Sequence, residues 1–144
     1  MSYIKIWIHF VWNVKNDSPL LSDEIRSKVT KHIRDYGFSK GIFIDTINGY
    51  HEHLHCLISM QKDQSPLKIM NLLKGESSHW INQNSLCKNK FEWREEYFAV
   101  SVSESTIEKV RAYINNQEEH HRKKSFKEEC NEFFDKYKFD SSIK

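Results

Sequence analysis

Alternating apolar and polar positions near the start of the chain predict a β-strand. From Tyr3 to Val14, bulky apolar side chains fall on every second residue, and this is the period at which strand side chains point to opposite faces. The same alternation returns from Tyr97 to Ser103 and predicts a later strand. Between Gly41 and Met60, two alternating runs flank Asn48-Gly49. Because Asn-Gly favours a two-residue turn, this stretch is predicted to be a β-hairpin.

Between these strands the apolar positions change to helical spacing. After Ser22, a potential N-cap, they recur every three to four residues, as in an amphipathic helix. Ser65-Pro66 predicts the start of a second helix, and the polar run Asn82-Gln83-Asn84 its end. Two capping-box sequences, Ser105–Glu108 and Ser125–Glu128, predict two more helices towards the C-terminus.

The predicted order of elements is strand, helix, strand, strand, helix, strand and then two helices. This βαββαβ order predicts an α+β, ferredoxin-like fold, in which an antiparallel sheet carries helices on one face and the C-terminal helices are added to it. A length of 144 residues suits one domain, so residues 1–144 are expected to form a single domain. This fold hosts many activities and assigns none by itself.

Composition narrows the class of protein only in part. The chain has 38% hydrophobic residues, four glycines and two prolines, which is typical of a folded and not of a disordered protein. A net charge of +2 allows a nucleic-acid partner without demanding one. The three cysteines are too few for a disulfide framework, and no apolar run is long enough for a membrane span or a signal peptide. A cytoplasmic location without membrane contact is therefore expected.

His53 and His55 are the first candidates for chemistry. Side chains two apart on a strand point to the same face, so these two imidazoles could close on one metal ion while Leu54 faces the core. His51 would extend the same face by one more step. A solvated strand face with several histidines is the alternative interpretation, and a second feature has to decide.

Tyr113 and Gln117 are the second feature. On the helix predicted from Ser105 they lie one turn apart beside the apolar stripe, so that the phenol and the amide share one side. A tyrosine in this position is also common as a boundary residue, with its ring packed and its hydroxyl in water.

Several segments together resemble a known family. They are Ile8-His9-Phe10-Val11-Trp12, the stretch from Gly49 to Leu57, Leu72-Leu73-Lys74-Gly75 with Ser77-Ser78, Phe91-Glu92-Trp93-Arg94, Phe98 to Ser103, and Tyr113 to Arg122. In their order and spacing the chain resembles, nearly end to end, the HUH-type single-tyrosine transposases of bacterial insertion sequences, the IS200-like group. Each motif alone would be weak, but their combination in one small domain is specific.

The resemblance implies an activity and a set of site residues. It implies a DNA transposase that cleaves and rejoins single-stranded DNA at hairpin-marked element ends through a covalent 5′-phosphotyrosine intermediate. Tyr113 would be the nucleophile, and His53, His55 and Gln117 would hold a divalent metal ion, Mg²⁺ or Mn²⁺. No nucleotide cofactor would be needed. The family also implies a homodimer in the bacterial cytosol, associated with the nucleoid when active.

Other assignments stay open. Four basic residues are candidates for contacts with DNA phosphates: Lys74, Arg94, Arg122 and Lys123. His51 departs from the family pattern, and the resemblance gives no role to His120 and His121. Rival functions are an HUH nicking endonuclease of replication or conjugation, a domesticated relative acting on chromosomal repeats, and a ferredoxin-like nucleic-acid-binding module whose histidines are structural.

Overall fold

A computed structural model describes residues 1–139, and these contain a four-stranded antiparallel sheet. The strands are β1 (Ile6–Val14), β2 (Phe43–Gly49), β3 (His53–Met60) and β4 (Trp93–Val102). They lie in the order β2-β3-β1-β4, and each neighbouring pair is antiparallel. The predicted ferredoxin-like arrangement is confirmed, with β1 and β3 at the centre of the sheet.

Helices cover both faces of this sheet. They are α1 (Asp23–Ser39), α2 (Pro66–Gln83), α3 (Ile107–Asn115), α4 (Gln117–Lys123) and α5 (Phe126–Tyr137). On one face, α1 and α2 pack around a large core that includes Phe10, Trp12, Leu54 and Cys56. On the other face, α3 lies across β2 and β3. The central strands are therefore buried on both sides, which explains why both sets of alternating positions in β1 are largely apolar.

The hairpin between β2 and β3 turns later than predicted. Gly49 pairs with Leu54 in the ladder, and the chain reverses over residues 50–52, where the Tyr50 N–H donates to the His53 carbonyl at 3.0 Å. The prediction of a two-residue turn at Asn48-Gly49 was wrong. Gly49 is needed for close approach instead, since a Cβ there would clash with the His53 carbonyl oxygen and lie 2.8 Å from Leu54 Cα.

Two other boundaries differ from the sequence prediction. β4 begins at Trp93, ahead of the predicted start at Tyr97. The capping box predicted at Ser105–Glu108 was wrong, because the Ser105 hydroxyl contacts Ser103 Oγ at 3.0 Å and α3 begins only after a 3₁₀ turn over residues 104–106. The capping box at Ser125–Glu128 is present with both of its hydrogen bonds.

Among residues 1–139, no helix combines the length and the apolar character needed to cross a membrane. Within the same range, the three cysteines, Cys56, Cys87 and Cys130, are free thiols.

Candidate metal and nucleophile site

The two histidines of β3 point together into a buried site on the α3 face of the sheet. Both side chains are fully buried, and their ring centroids lie 5.0 Å apart. Each ring is fixed by a partner at Nδ1: Glu52 Oε1 lies 2.7 Å from that of His53, and His9 Nε2 lies 2.9 Å from that of His55. The two Nε2 atoms are therefore the ones directed towards the rest of the site.

α3 brings Tyr113 to this pair. The helix packs on the sheet through a small apolar cluster of Trp7, Leu57, Ile107 and Ile114. It is also anchored by Arg111, whose guanidinium donates to both carboxylate oxygens of Asp45 on β2, at 2.9 and 2.8 Å. This docking places the Tyr113 ring edge-on to the His55 ring, with centroids 5.4 Å apart. The predicted nucleophile and the histidines thus meet within one chain.

Gln117 also reaches the site, although not as predicted. The expectation of one helix through Tyr113 and Gln117 was wrong, since α3 ends at Asn115 and Gln117 is the first residue of α4. Asn116 breaks the helix with φ −101° and ψ 23°. Gln117 is nevertheless fully buried, and its Oε1 lies 3.0 Å from His53 Nε2. The break therefore keeps the amide in reach of His53 Nε2.

Glu129, on α5, completes the site and was missed in the sequence. Its side chain is only 1% exposed. Its Oε1 lies 3.3 Å from His53 Nε2 and 3.2 Å from His55 Nε2, and its Oε2 accepts a hydrogen bond from the Tyr113 hydroxyl. The carboxylate thus lies between the two imidazoles and the phenol.

Aromatic packing holds α5 in place. Phe126 stacks on the His53 ring with centroids 4.1 Å apart, and Phe133 packs edge-on against Phe98 of β4 at 5.4 Å. Glu129 lies one turn from each of these phenylalanines and so shares their face. This gave the sequence a usable signal, because a glutamate beside a predicted apolar stripe has to be paired when it is buried.

His121 and His51 lie beside this site, at the edge formed by α4 and the β2–β3 turn. His121 Nε2 lies 3.0 Å from Gln117 Oε1, while its Nδ1 lies 2.8 Å from the Lys124 carbonyl oxygen. Tyr50 stacks on both His121 and His51, with ring centroids 5.1 and 4.1 Å apart. His51 therefore lies in the hairpin turn and does not extend the β3 face, so the predicted ladder of three histidines was wrong.

The charges of the site follow from its burial and pairing. Burial alone would raise the pKa of the Glu129 carboxyl. The hydrogen bonds from His53 and His55 outweigh this effect and lower the pKa to about 2. Burial also disfavours a charged His53, but the Glu129 and Glu52 carboxylates raise the pKa of this imidazole. Burial lowers the pKa of His55 to about 4. A carboxylate, a basic imidazole and a neutral imidazole thus share one buried space.

These donors fit a divalent metal ion. His53, His55 and Glu129 offer three buried ligand atoms that all lie within 4.8 Å of one another, and Gln117 adds an amide oxygen. Neighbouring donors are 3.0 to 3.3 Å apart, which matches adjacent ligands at about 2.1 Å from an octahedral ion. A mixed set of nitrogen and oxygen donors is compatible with Mg²⁺, Mn²⁺ and other divalent ions.

The four basic candidates for DNA contacts differ in their surroundings. Lys74 donates from Nζ to two backbone carbonyls of β4, those of Arg94 at 2.6 Å and Glu95 at 2.8 Å. The side chains of Arg94, Arg122 and Lys123 are exposed. Lys74 therefore links α2 to β4, in addition to any contact with DNA.

Comparisons with known proteins found a matching family model and a similar protein. Residues 2–117 match the family model described as "Transposase IS200 like". The ISDra2 transposase TnpA of Deinococcus radiodurans is 25% identical over 114 residues, which span 76% of this chain and 81% of the relative. The last residue matched by the family model precedes α5, so Glu129 lies outside that match.

Two solved structures share the fold. One is a crystal structure from Deinococcus radiodurans assigned as a transposase, with a TM-score of 0.66, 22% identity and coverage of 81% of this chain and 93% of that one. The other is a REP-associated tyrosine transposase bound to a REP hairpin, with a TM-score of 0.63, 19% identity and coverage of 84% and 72%.

Proposed function

Because the chain belongs to the IS200-like transposase family, we propose that it cleaves and rejoins single-stranded DNA at hairpins that mark the ends of a mobile element. The observation that carries this proposal is the meeting of Tyr113 with His53 and His55 around a single carboxylate. A phenol beside a set of metal-ligating groups is what a covalent attack on a phosphodiester requires.

Tyr113 would act as the nucleophile. Its oxygen forms a bond to phosphorus while the bond from phosphorus to the 3′ oxygen breaks, and the proton lost by the phenol is matched by one gained by the 3′ oxygen. The DNA then remains attached by its 5′ phosphate to the tyrosine. Since the phosphotyrosine keeps the bond energy, a free 3′-hydroxyl of another strand can attack it and rejoin the DNA without a nucleotide cofactor.

His53, His55 and Gln117 would hold the divalent ion, for which we propose Mg²⁺ or Mn²⁺. When bound, this ion supplies positive charge that stabilises the phosphate during the displacement. Glu52 and His9 keep the two imidazoles oriented through their Nδ1 atoms.

Glu129 occupies the position that the scissile phosphate would need. One of its oxygens faces both histidine Nε2 atoms, and the other faces the Tyr113 hydroxyl. A phosphodiester ready for attack would present one oxygen to the metal-ligating groups and its phosphorus to the phenol. We therefore take the described arrangement as a closed one, in which Glu129 bonds to the two histidines. It would become a metal ligand when the ion binds, until the DNA displaces it together with α5.

The hairpin substrate is proposed from the family and from the relative that was solved with a REP hairpin. Lys74, Arg94, Arg122 and Lys123 remain the proposed phosphate contacts. A homodimer also remains a proposal, and the site itself does not require one because Tyr113 meets the histidines of its own chain.

Covalent capture tests the function directly. The protein is incubated with a fluorescent single-stranded hairpin oligonucleotide and either Mg²⁺ or Mn²⁺, and then run on a denaturing gel. We expect a labelled protein band that disappears with a chelator and in His53→Ala and His55→Ala. Hairpin binding without any labelled band, by protein that retains its fold, would favour the non-catalytic binding module, and full labelling in chelator would contradict the metal role.

A further inference from the structure

His9 is the buried partner of one of the two metal-ligating histidines. It lies on the central strand β1, where it is 5% exposed, and its Nε2 is 2.9 Å from His55 Nδ1. Its ring also packs edge-on against Tyr113, with centroids 6.3 Å apart. Because this part of the strand is buried on both faces, a polar ring here needs a hydrogen-bond partner.

His55 needs its single ring proton on a different nitrogen in each of two states of the site. A neutral imidazole carries a single N–H. In the described arrangement, His55 Nε2 faces the Glu129 carboxylate at 3.2 Å, so the proton belongs on Nε2 and Nδ1 has to accept a hydrogen bond. If Nε2 ligates a metal ion, the proton has to be on Nδ1, which then has to donate. The partner at Nδ1 must therefore serve as donor in one state and as acceptor in the other.

A neutral histidine meets both demands, whereas a carboxylate or a carbonyl can only accept. His9 can donate from Nε2 in the first state, and in the second it can accept there with its own proton on Nδ1. His53 offers the contrast, because the Glu52 carboxylate at its Nδ1 can only accept and fixes one tautomer. His9 is 5% exposed and His55 is fully buried, and burial disfavours a charge on either ring.

We infer that His9 is a positioning residue that lets His55 exchange its hydrogen bond to Glu129 for a divalent metal ion, through a paired change of tautomer in both rings. This inference rests on the proposed metal-dependent function. In the exchange, the proton of each ring moves from Nε2 to Nδ1, so neither ring changes its charge and the hydrogen bond between them is kept with its direction reversed.

Nitrogen NMR of the histidine side chains tests the exchange without any variant. Protein labelled with ¹⁵N-histidine is recorded at neutral pH in chelator and then with saturating Mg²⁺, which is diamagnetic. We expect the protonated nitrogen of both His9 and His55 to change from Nε2 to Nδ1. A His9 proton that stays on the same nitrogen in both states would overturn the inference, and so would a His55 that already carries its proton on Nδ1 in chelator.

Two substitutions then test the positioning role by Mg²⁺ titration calorimetry. His9→Phe keeps an aromatic ring but offers neither donor nor acceptor, and we expect a ten- to hundredfold loss of affinity, the usual effect of removing a partner of a ligating histidine. His9→Gln can present either its amide oxygen or its N–H, and we expect it to retain most of the affinity. Equal affinities of His9→Phe and the unaltered protein would contradict the inference.

Covalent capture tests the transposase function, and it does so independently of the NMR test of His9. A labelled band formed by protein in which His9 shows no exchange would overturn the role of His9 and leave the transposase intact. An exchange in protein that never forms a band would overturn the transposase and leave the metal site with its positioning residue.

Discussion

The Tyr113 hydroxyl donates a hydrogen bond to Glu129 Oε2, although the two residues are sixteen positions apart and belong to different helices. The other carboxylate oxygen lies within 3.3 Å of Nε2 of both His53 and His55. One acidic side chain thus contacts both the proposed nucleophile and the proposed metal ligands. Because we propose that this carboxylate occupies the place of the scissile phosphate, the state of α5 is expected to govern access of DNA to the site.

Replacing Glu129 should separate metal binding from reaction. We expect Glu129→Ala to bind Mn²⁺ or Mg²⁺ more weakly in the absence of DNA, because one of the four donors is lost. At saturating metal, adducts with the hairpin should form about tenfold faster, the effect of removing a competitor worth about 1.4 kcal/mol. The measurements are metal titration calorimetry and a time course on denaturing gels.

Glu118→Ala is the matched control for this substitution, since Glu118 is an exposed glutamate of α4. It should leave both readouts unchanged. If Glu129→Ala instead slows adduct formation at saturating metal, the carboxylate takes part in the reaction as a permanent ligand and the closed arrangement is refuted.

Tyr113→Phe should abolish the covalent adduct and preserve hairpin binding. The substitution removes only the phenol oxygen that we propose as the attacking atom, and it leaves the ring packed edge-on to His55. It also leaves Glu129 Oε2 without its donor, and we expect a loss of about 1–3 kcal/mol in the free energy of unfolding. Tyr36→Phe, in α1 on the far side of the sheet, is the control, and adducts surviving in Tyr113→Phe would defeat the assignment of the nucleophile.

Two glycine-to-alanine substitutions form a matched pair: one is in the hairpin that carries His53, and the control is in α2. Gly49→Ala should lower the melting temperature and weaken metal binding, because its Cβ would clash with the His53 carbonyl oxygen and push that residue away. Gly75→Ala, in α2, has no atom within 4 Å of the added Cβ and should stabilise the protein by about 0.5–1 kcal/mol. A tolerated Gly49→Ala would show that the turn over residues 50–52 is not held as described.

Salt dependence distinguishes the proposed DNA contacts. Arg122→Ala with Lys123→Ala should reduce the slope of log affinity against log salt by about 1.4, since each phosphate contact to a single strand contributes about 0.7. Lys74→Met should mainly lower the melting temperature, because its Nζ is bonded to the carbonyls of Arg94 and Glu95. An unchanged salt slope in the double variant would remove those two residues from the interface.

The sequence was sufficient to predict the elements whose local pattern agrees with the order of motifs in the family. Period-two alternation identified the strands, and the spacing of His53 and His55 correctly placed both on one face of β3. Sequence reasoning failed where the structure is decided by contacts between different strands or helices. The Asn48-Gly49 pair favours a turn locally, but pairing of Gly49 with Leu54 extends the ladder past it. In this case the cross-strand register overrode the local propensity.

Glu129 shows a different limit of sequence reasoning. It follows the segment that the family model covers, and on the sequence it is one of several glutamates on an amphipathic helix. Only the packing of Phe126 on His53 and of Phe133 near β4 turns this particular glutamate inward. The apolar stripe of α5 marks Glu129 as a residue beside a buried face, but no period or motif in the sequence tells which part of the sheet that face covers.

The buried histidines should make the metal-free protein sensitive to mild acid. Burial lowers the pKa of His9 to about 3 and that of His55 to about 4, from an ordinary value of 6.5. At a pH between the folded-state pKa and 6.5, each of these histidines binds a proton in the unfolded chain and not in the folded one. Stability is therefore full above pH 6.5 and is lost as the pH falls, by about 1.4 kcal/mol per pH unit for each group. Glu129, with its pKa lowered to about 2, adds a further loss below about pH 4.5.

Urea unfolding in chelator between pH 7.5 and 4.5 measures this slope. His53 acts in the opposite sense, because its raised pKa gives stability that is present at low pH and lost as the pH rises through the folded-state value. We expect His9→Gln to reduce the acid slope by about 1.4 kcal/mol per pH unit, since one of the titrating groups is gone. His79→Gln replaces an exposed histidine of α2 and should follow the unaltered protein. A stability that stays constant from pH 6.5 to 5 would contradict the burial of neutral imidazoles at the centre of the site.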